Sequence, residues 1–182
     1  MDKLGTTRLL LLALSLLYAA GCGMSDEAAA AKSRESWALV LKVDGADVKI
    51  PLKAMNVLLF KDEEHARQNP SVFQIEGNGV QLIGEIAAAD NVDYDERWER
   101  LINKTLTIKA SGEFHRDSVD SKIALPGTPE IVVTGGTMFV EKFSGKLAGS
   151  DGDKTLSGKI SLQLRDGRTL EGTFAVHALT WG

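Results

Sequence analysis

Residues 156–178 read LSGKISLQLRDGRTLEGTFAVHA. Leu156, Ile160, Leu162 and Leu164 stand on even positions, and so do Leu170, Phe174, Val176 and Ala178. Apolar residues at every second position put one face of an extended chain into a core. Two such runs around Asp166-Gly167 predict a β-hairpin. Parity then decides the loop length. A two-residue loop would set Leu162 against Glu171, core against solvent. A three-residue loop, Arg165-Asp166-Gly167, restores agreement through a type I turn with a bulge at Gly167. It pairs Leu162 with Leu170, Leu164 with Arg168, Ile160 with Gly172 and Gly158 with Phe174. Each glycine then faces a larger neighbour that can cover it. A slip of one residue would turn the whole apolar set to water.

The same reasoning runs back along the chain. Trp37, Leu39, Leu41 and Val43 occupy odd positions, then Val48, Ile50 and Leu52 even ones. A two-residue Asp44-Gly45 loop, the type I′ turn this dipeptide favours, pairs Leu41 with Val48 and Leu39 with Ile50. Met55 to Phe60 is a further apolar run. Asp62 to Asn69 reads as a helical turn capped by Asp62 and stopped before Pro70. Asn78-Gly79 as a two-residue loop pairs Ile75 with Leu82. Leu106 and Ile108 belong to another strand. Residues 111–129 read as loop. Ile131–Val133 and Met138–Phe143 read as two strands around Gly135-Gly136.

Tyr94, Trp98, Leu101 and Ile102 share one helical face, and Asp93 with Glu96 has the form of a capping box. They predict one short helix near 93–102 that plugs an end or face of the sheet. About nine or ten short strands with antiparallel turn chemistry define an all-β class, an antiparallel β-sandwich or small barrel. Gly158 and Gly172 mark where a barrel would bend.

The N-terminal stretch obeys a different logic. Lys3 and Arg8 precede an apolar run from Leu9 to Ala20, too short for the roughly 20 residues that span a bilayer. A basic start, a short apolar middle and a small-residue end read as an export signal. The run closes on Ala19-Ala20-Gly21-Cys22, and Cys22 is the single cysteine of the chain. This segment resembles the lipobox of bacterial lipoproteins, with Ala19 where the usual pattern has leucine. The resemblance implies cleavage before Cys22 and acylation of its thiol and new amine. One acyl chain binds a membrane reversibly, and two or three hold it firmly. Gly23 rather than aspartate follows the cysteine, which implies an outer-membrane destination facing the periplasm where the organism has an outer membrane. The expected organisation is a signal peptide at 1–21, a flexible tether at 22–36 and a single β-rich domain at 37–182. Fully extended, the 14 residues Gly23 to Ser36 reach roughly 50 Å.

Removing residues 1–21 takes Lys3, Arg8 and Asp2 from 21 basic and 25 acidic residues, leaving 19 and 24 and a net charge near −5. With no basic patch, nucleic acid is not an expected partner. The expected partners are the membrane, through the anchor, and an envelope protein or polymer.

Chemistry-bearing clusters are weighed against their structural roles. Asp90, Asp93, Asp95 and Glu96 are the densest acidic group, and their functional reading is a Ca²⁺ site. Their spacing is not that of an EF-hand, and helix capping explains them first. His65, His115 and His177 form no metal pattern, and Gly149-Ser150-Asp151-Gly152 is not a nucleophile elbow. No catalytic residue and no cofactor is therefore expected. On the outward face of the closing hairpin, Lys159, Glu171, His177 and Trp181 are the expected surface-binding residues. The sequence favours a non-enzymatic binding or structural module of the cell envelope. The alternatives are a carrier of a small apolar ligand in a barrel cavity and, behind it, a metal-dependent hydrolase.

Overall fold

A computed structural model describes residues 37–58, 69–90, 98–114, 117–145 and 154–181. The strands are β1 (Ala38–Val43), β2 (Ala46–Leu58), β3 (Ser71–Gly77), β4 (Val80–Ile86), β5 (Thr105–Lys109), β6 (Ser111–Phe114), β7 (Asp117–Asp120), β8 (Lys122–Ala124), β9 (Glu130–Ser144), β10 (Thr155–Leu164) and β11 (Thr169–Trp181). Eight of them close into a barrel in the order β1-β2-β3-β4-β5-β9-β10-β11, with β11 returning to β1. The barrel, not the sandwich, is therefore the architecture. All eight contacts around it are antiparallel. Because β1 starts only at Ala38, opposite Ala175, the ends of β11 and β2 also meet directly. They pair in parallel from Ala178 with Met55 to Trp181 with Leu58.

The parity arguments hold residue for residue. Leu41 pairs with Val48 and Leu39 with Ile50 around a turn in which Asp44 (φ 50°) and Gly45 (φ 84°) are both left-handed, as a type I′ turn requires. Ile75 pairs with Leu82. In the closing hairpin Leu162 meets Leu170, Ile160 meets Gly172 and Gly158 meets Phe174. The Leu164 N–H donates to the Arg168 carbonyl at 2.9 Å, and Gly167 takes the bulge position with φ 87°.

Four expectations change. Residues 48–52 and 55–58 belong to one strand, β2. A register irregularity between Leu52 and Ala54 moves the inward positions from even to odd, from Ile50 and Leu52 to Met55 and Val57. Likewise 131–133 and 138–143 fuse into the 15-residue β9, which passes Gly136 as a close approach instead of a break. A Cβ there would stand 2.2 Å from the Ser161 carbonyl oxygen, so only glycine lets β9 and β10 run together. Residues 111–129, read as loop, contain β6, β7 and β8. Of the expected helix, Trp98–Leu101 is a 3₁₀ turn and 91–97 lie outside the described residues.

β8 explains how the wall is completed. β5 lies between β4 and β9, pairing Ile83 with Lys109 and Lys109 with Gly135. β8 continues in the same lane, pairing Ile123 with Val80 of β4 and Lys122 with Val132 of β9. Between the two halves the chain leaves at Ala110, forms the β6–β7 hairpin and returns at Ser121. The Ser121 N–H donates to the Ala110 carbonyl at 2.7 Å, and the Val133 N–H donates to the Ser121 carbonyl at 2.9 Å. Where the ladder would otherwise lack an acceptor, the Ile83 N–H donates to Ser121 Oγ at 2.9 Å. Ser121 is fully buried. One barrel strand has thus been interrupted by an inserted hairpin, and a serine side chain repairs the ladder.

The interior is one apolar cluster. Leu39, Leu41, Met55, Phe73, Ile75, Leu82, Met138 and Val140 have no exposed surface. Each such side chain contributes roughly 1.5–3 kcal/mol relative to exposure. Trp98 and Leu101, from the connection between β4 and β5, join this cluster, as does Leu125 from the turn before β9. The plug expected from 93–102 is supplied by Trp98 and Leu101.

Candidate functional site

Strand directions sort the connections between the two ends of the barrel. One end carries the tight turns at Asp44-Gly45, Asn78-Gly79, Pro126-Gly127 and Arg165–Gly167. The other receives the chain at Trp37 and is where β2, β4 and β9 end and β3, β5 and β10 begin. At that second end Trp37 stacks on His177, with ring centroids 4.5 Å apart and planes 11° from parallel. Trp37 Nε1 donates to Thr155 Oγ1 at 3.1 Å, and Thr155 is the cross-strand partner of His177. The first residue of the barrel thereby clasps its two closing strands.

This clasp corrects one expectation. Alternation puts His177 on the outward face, but it is only 9% exposed, because the Trp37 indole lies over it. His177 is therefore covered by the indole and not displayed on the hairpin's outer face as expected. Lys159 and Glu171 are exposed on the outer wall as expected. They sit on adjacent strands, opposite Thr173 and Ser161 respectively. Lys159 makes an ion pair with Glu141 of β9 at 3.1 Å. The backbone of Trp181 pairs with Leu58, and its side chain lies outside the described residues. Of the three whose side chains are described, Lys159 and Glu171 are exposed on one surface and His177 is buried.

The acidic cluster resolves in part. Asp90 closes a 3₁₀ turn (Ala88–Asp90), and its carboxylate lies 2.5 Å from Lys104 Nζ, at the start of β5. This ion pair ties the 3₁₀ turn after β4 to the residue before β5. Asp93, Asp95, Glu96, His65, His115 and Cys22 lie outside the described residues. Among the described residues no three His, Cys, Asp or Glu side chains gather as a metal site, and no helix is long and apolar enough to cross a membrane.

One residue of the outer wall escaped the sequence reading. Phe139 is 36% exposed and lies between Thr105 of β5 and Lys159 of β10. The signal was present, since Met138 and Val140 point inward and alternation sends Phe139 outward. Around it the register sets out rows of hydroxyl and charged side chains: Thr105, Phe139, Lys159 and Thr173, then Thr107, Thr137, Ser161 and Glu171. This wall is a broad polar surface with one aromatic ring at its middle.

An ion pair orders the β10–β11 turn. Arg168 Nε and Nη2 donate to Asp166 Oδ2 at 2.9 and 2.7 Å, and the Arg168 N–H donates to Oδ1 at 3.1 Å. The side-chain hydrogen bond from Arg168 holds the Asp166 carboxyl below its ordinary value. Both groups are exposed, so the pair orders the turn and adds little to stability.

The fold and wall define a small closed β-barrel with a filled core and a polar outer surface. The chain matches no protein-family model, no curated protein and no solved structure.

Proposed function

We propose that this protein is a lipid-anchored, extracytoplasmic β-barrel that works by surface contact with an envelope protein or polymer, not by catalysis. The observation that carries the reading is the filled interior. A hollow large enough for a ligand would expose the atoms lining it, and Leu39, Leu41, Phe73, Leu82 and Met138 have no exposed surface. An eight-stranded barrel is just wide enough for side chains to fill or for one small ligand, and here side chains fill it. Recognition then falls to the outside, where the wall around Phe139 and Lys159 offers a ring, hydroxyls and paired charges. The lipobox-like Ala19-Ala20-Gly21-Cys22 supports delivery to a membrane surface. Closure of the barrel is the feature a carrier of an apolar ligand would share.

The test has two arms. Cys22→Ser should move the protein from the membrane to the soluble fraction, and an unchanged membrane fraction would defeat the anchor. A photo-cross-linking residue at Phe139, used in intact cells, should trap a partner that the same residue at inward-facing Met138 does not. Stoichiometric binding of an apolar fluorophore by the purified chain would instead favour the carrier.

A further inference from the structure

Outward-facing positions of a solvated barrel wall are expected to be wet, yet Ile83 (1% exposed) and Gln74 (4%) are buried. They are cross-strand partners on β4 and β3, and alternation with inward Leu82 and Ile75 turns both outward. The β6–β7 hairpin packs over them against β3 and β4. The fit is tight: a Cβ on Gly112 would stand 2.8 Å from Ile83 Cγ2, and Phe114 is only 7% exposed. The hairpin nevertheless forms its own two-stranded sheet, with no ladder to the barrel among the described residues. Its base is closed without it, by Ser121 bonded to Ala110, Val133 and Ile83.

We propose that the β6–β7 hairpin is a flap that lifts off the β3–β4 wall as one unit while the barrel stays closed, uncovering Ile83 and Gln74. A two-stranded hairpin with no ladder to a neighbouring sheet is marginal by itself. Segments of this kind open at lower free energy than the global transition. The β5–β8 lane and its serine repair leave the barrel's hydrogen bonding independent of the hairpin's position. Lifting therefore exposes the Ile83 and Gln74 side chains on one wall without unfolding the core.

Native-state hydrogen exchange on the full chain tests this. The hydrogen-bonded amides of β6 and β7 should exchange at least about tenfold faster than those of the β10–β11 ladder. Gly112→Val, which pushes against the flexible Ile83 side chain, should accelerate the hairpin further and leave the β10–β11 rates within about twofold. A second readout uses thiol labelling in a Cys22→Ser background. Ile83→Cys beneath the hairpin should label at least about tenfold faster than Leu82→Cys inside the barrel. Equal exchange in the hairpin and the ladder, or equal labelling at the two cysteines, would overturn the proposal by making the hairpin part of the barrel's cooperative unit. A hairpin with no protection would overturn it too, since no closed state would exist.

Discussion

The β10–β11 hairpin and the β5–β8 lane are stretches of the same barrel wall built by opposite means. In the hairpin, every contact that sets the register is local. A three-residue turn, a left-handed glycine and alternating apolar residues all agree on one pairing. In the lane, two short strands separated by an inserted hairpin are aligned by β4 and β9 on either side. Neither half is long enough to specify its own register. The difference teaches that a barrel tolerates an interruption where two established neighbours template the missing piece, and where one side chain replaces the lost backbone acceptor.

The comparison breaks most visibly at glycine. On β11 a Cβ at Gly172 would lie 1.9 Å from the Val40 carbonyl oxygen, and backbone cannot swing aside. Gly172→Val should cost at least about 3 kcal/mol or abolish folding, read as the urea midpoint at constant slope. Gly112→Val in the inserted hairpin meets only a side-chain methyl and should leave the barrel's cooperative transition within about 1 kcal/mol of the parent. Comparable losses at the two sites would erase the distinction between wall and insert.

A smaller effect belongs to the repair. Ser121→Ala leaves the buried Ile83 N–H without its acceptor and should cost about 1–3 kcal/mol. Ser161→Ala, on the outer face of the hairpin, should stay within about 0.5 kcal/mol of the parent. Equal costs in denaturant unfolding would mean that the lane is no more dependent on a side chain than the hairpin is.

The smallest effect is at the β10–β11 turn, and it depends on pH. Arg168 lowers the folded pKa of Asp166 below its ordinary value of 3.8. A lowered carboxylate pKa gives stability that is present above the unfolded value and lost as pH falls through the folded one. Parent and Asp166→Asn should therefore differ slightly at neutral pH and converge once pH drops well below about 3.8. A gap that widens on acidification would assign the turn's order to something other than this ion pair.

Legibility followed locality. The registers around Asp44-Gly45, Asn78-Gly79 and Asp166-Gly167 could be read because turn chemistry and parity are both short-range. The continuity of β2 and β9 could not, because a change of inward parity and a glycine close approach look like strand ends until the neighbouring strand is in place. His177 was misplaced for a related reason. Alternation settles which way its Cβ points, and the Trp37 ring that covers it lies about 140 residues away in the chain. Phe139 was readable from its flanking residues, but its place among Thr105 and Lys159 required the β5–β9–β10 pairing.

The sequence by itself determined the β class, the hairpin registers and which faces are apolar, since these depend on a period of two and on backbone angles that glycine and aspartate favour. It also placed the lipobox-like segment ahead of the domain. Only the tertiary structure decided that the sheet closes, that β5 and β8 share one strand's place around the inserted hairpin, and that Trp37 clasps β10 and β11. Those outcomes rest on contacts between residues far apart in the chain. Such contacts form only when the full set of strands has been brought together around one core.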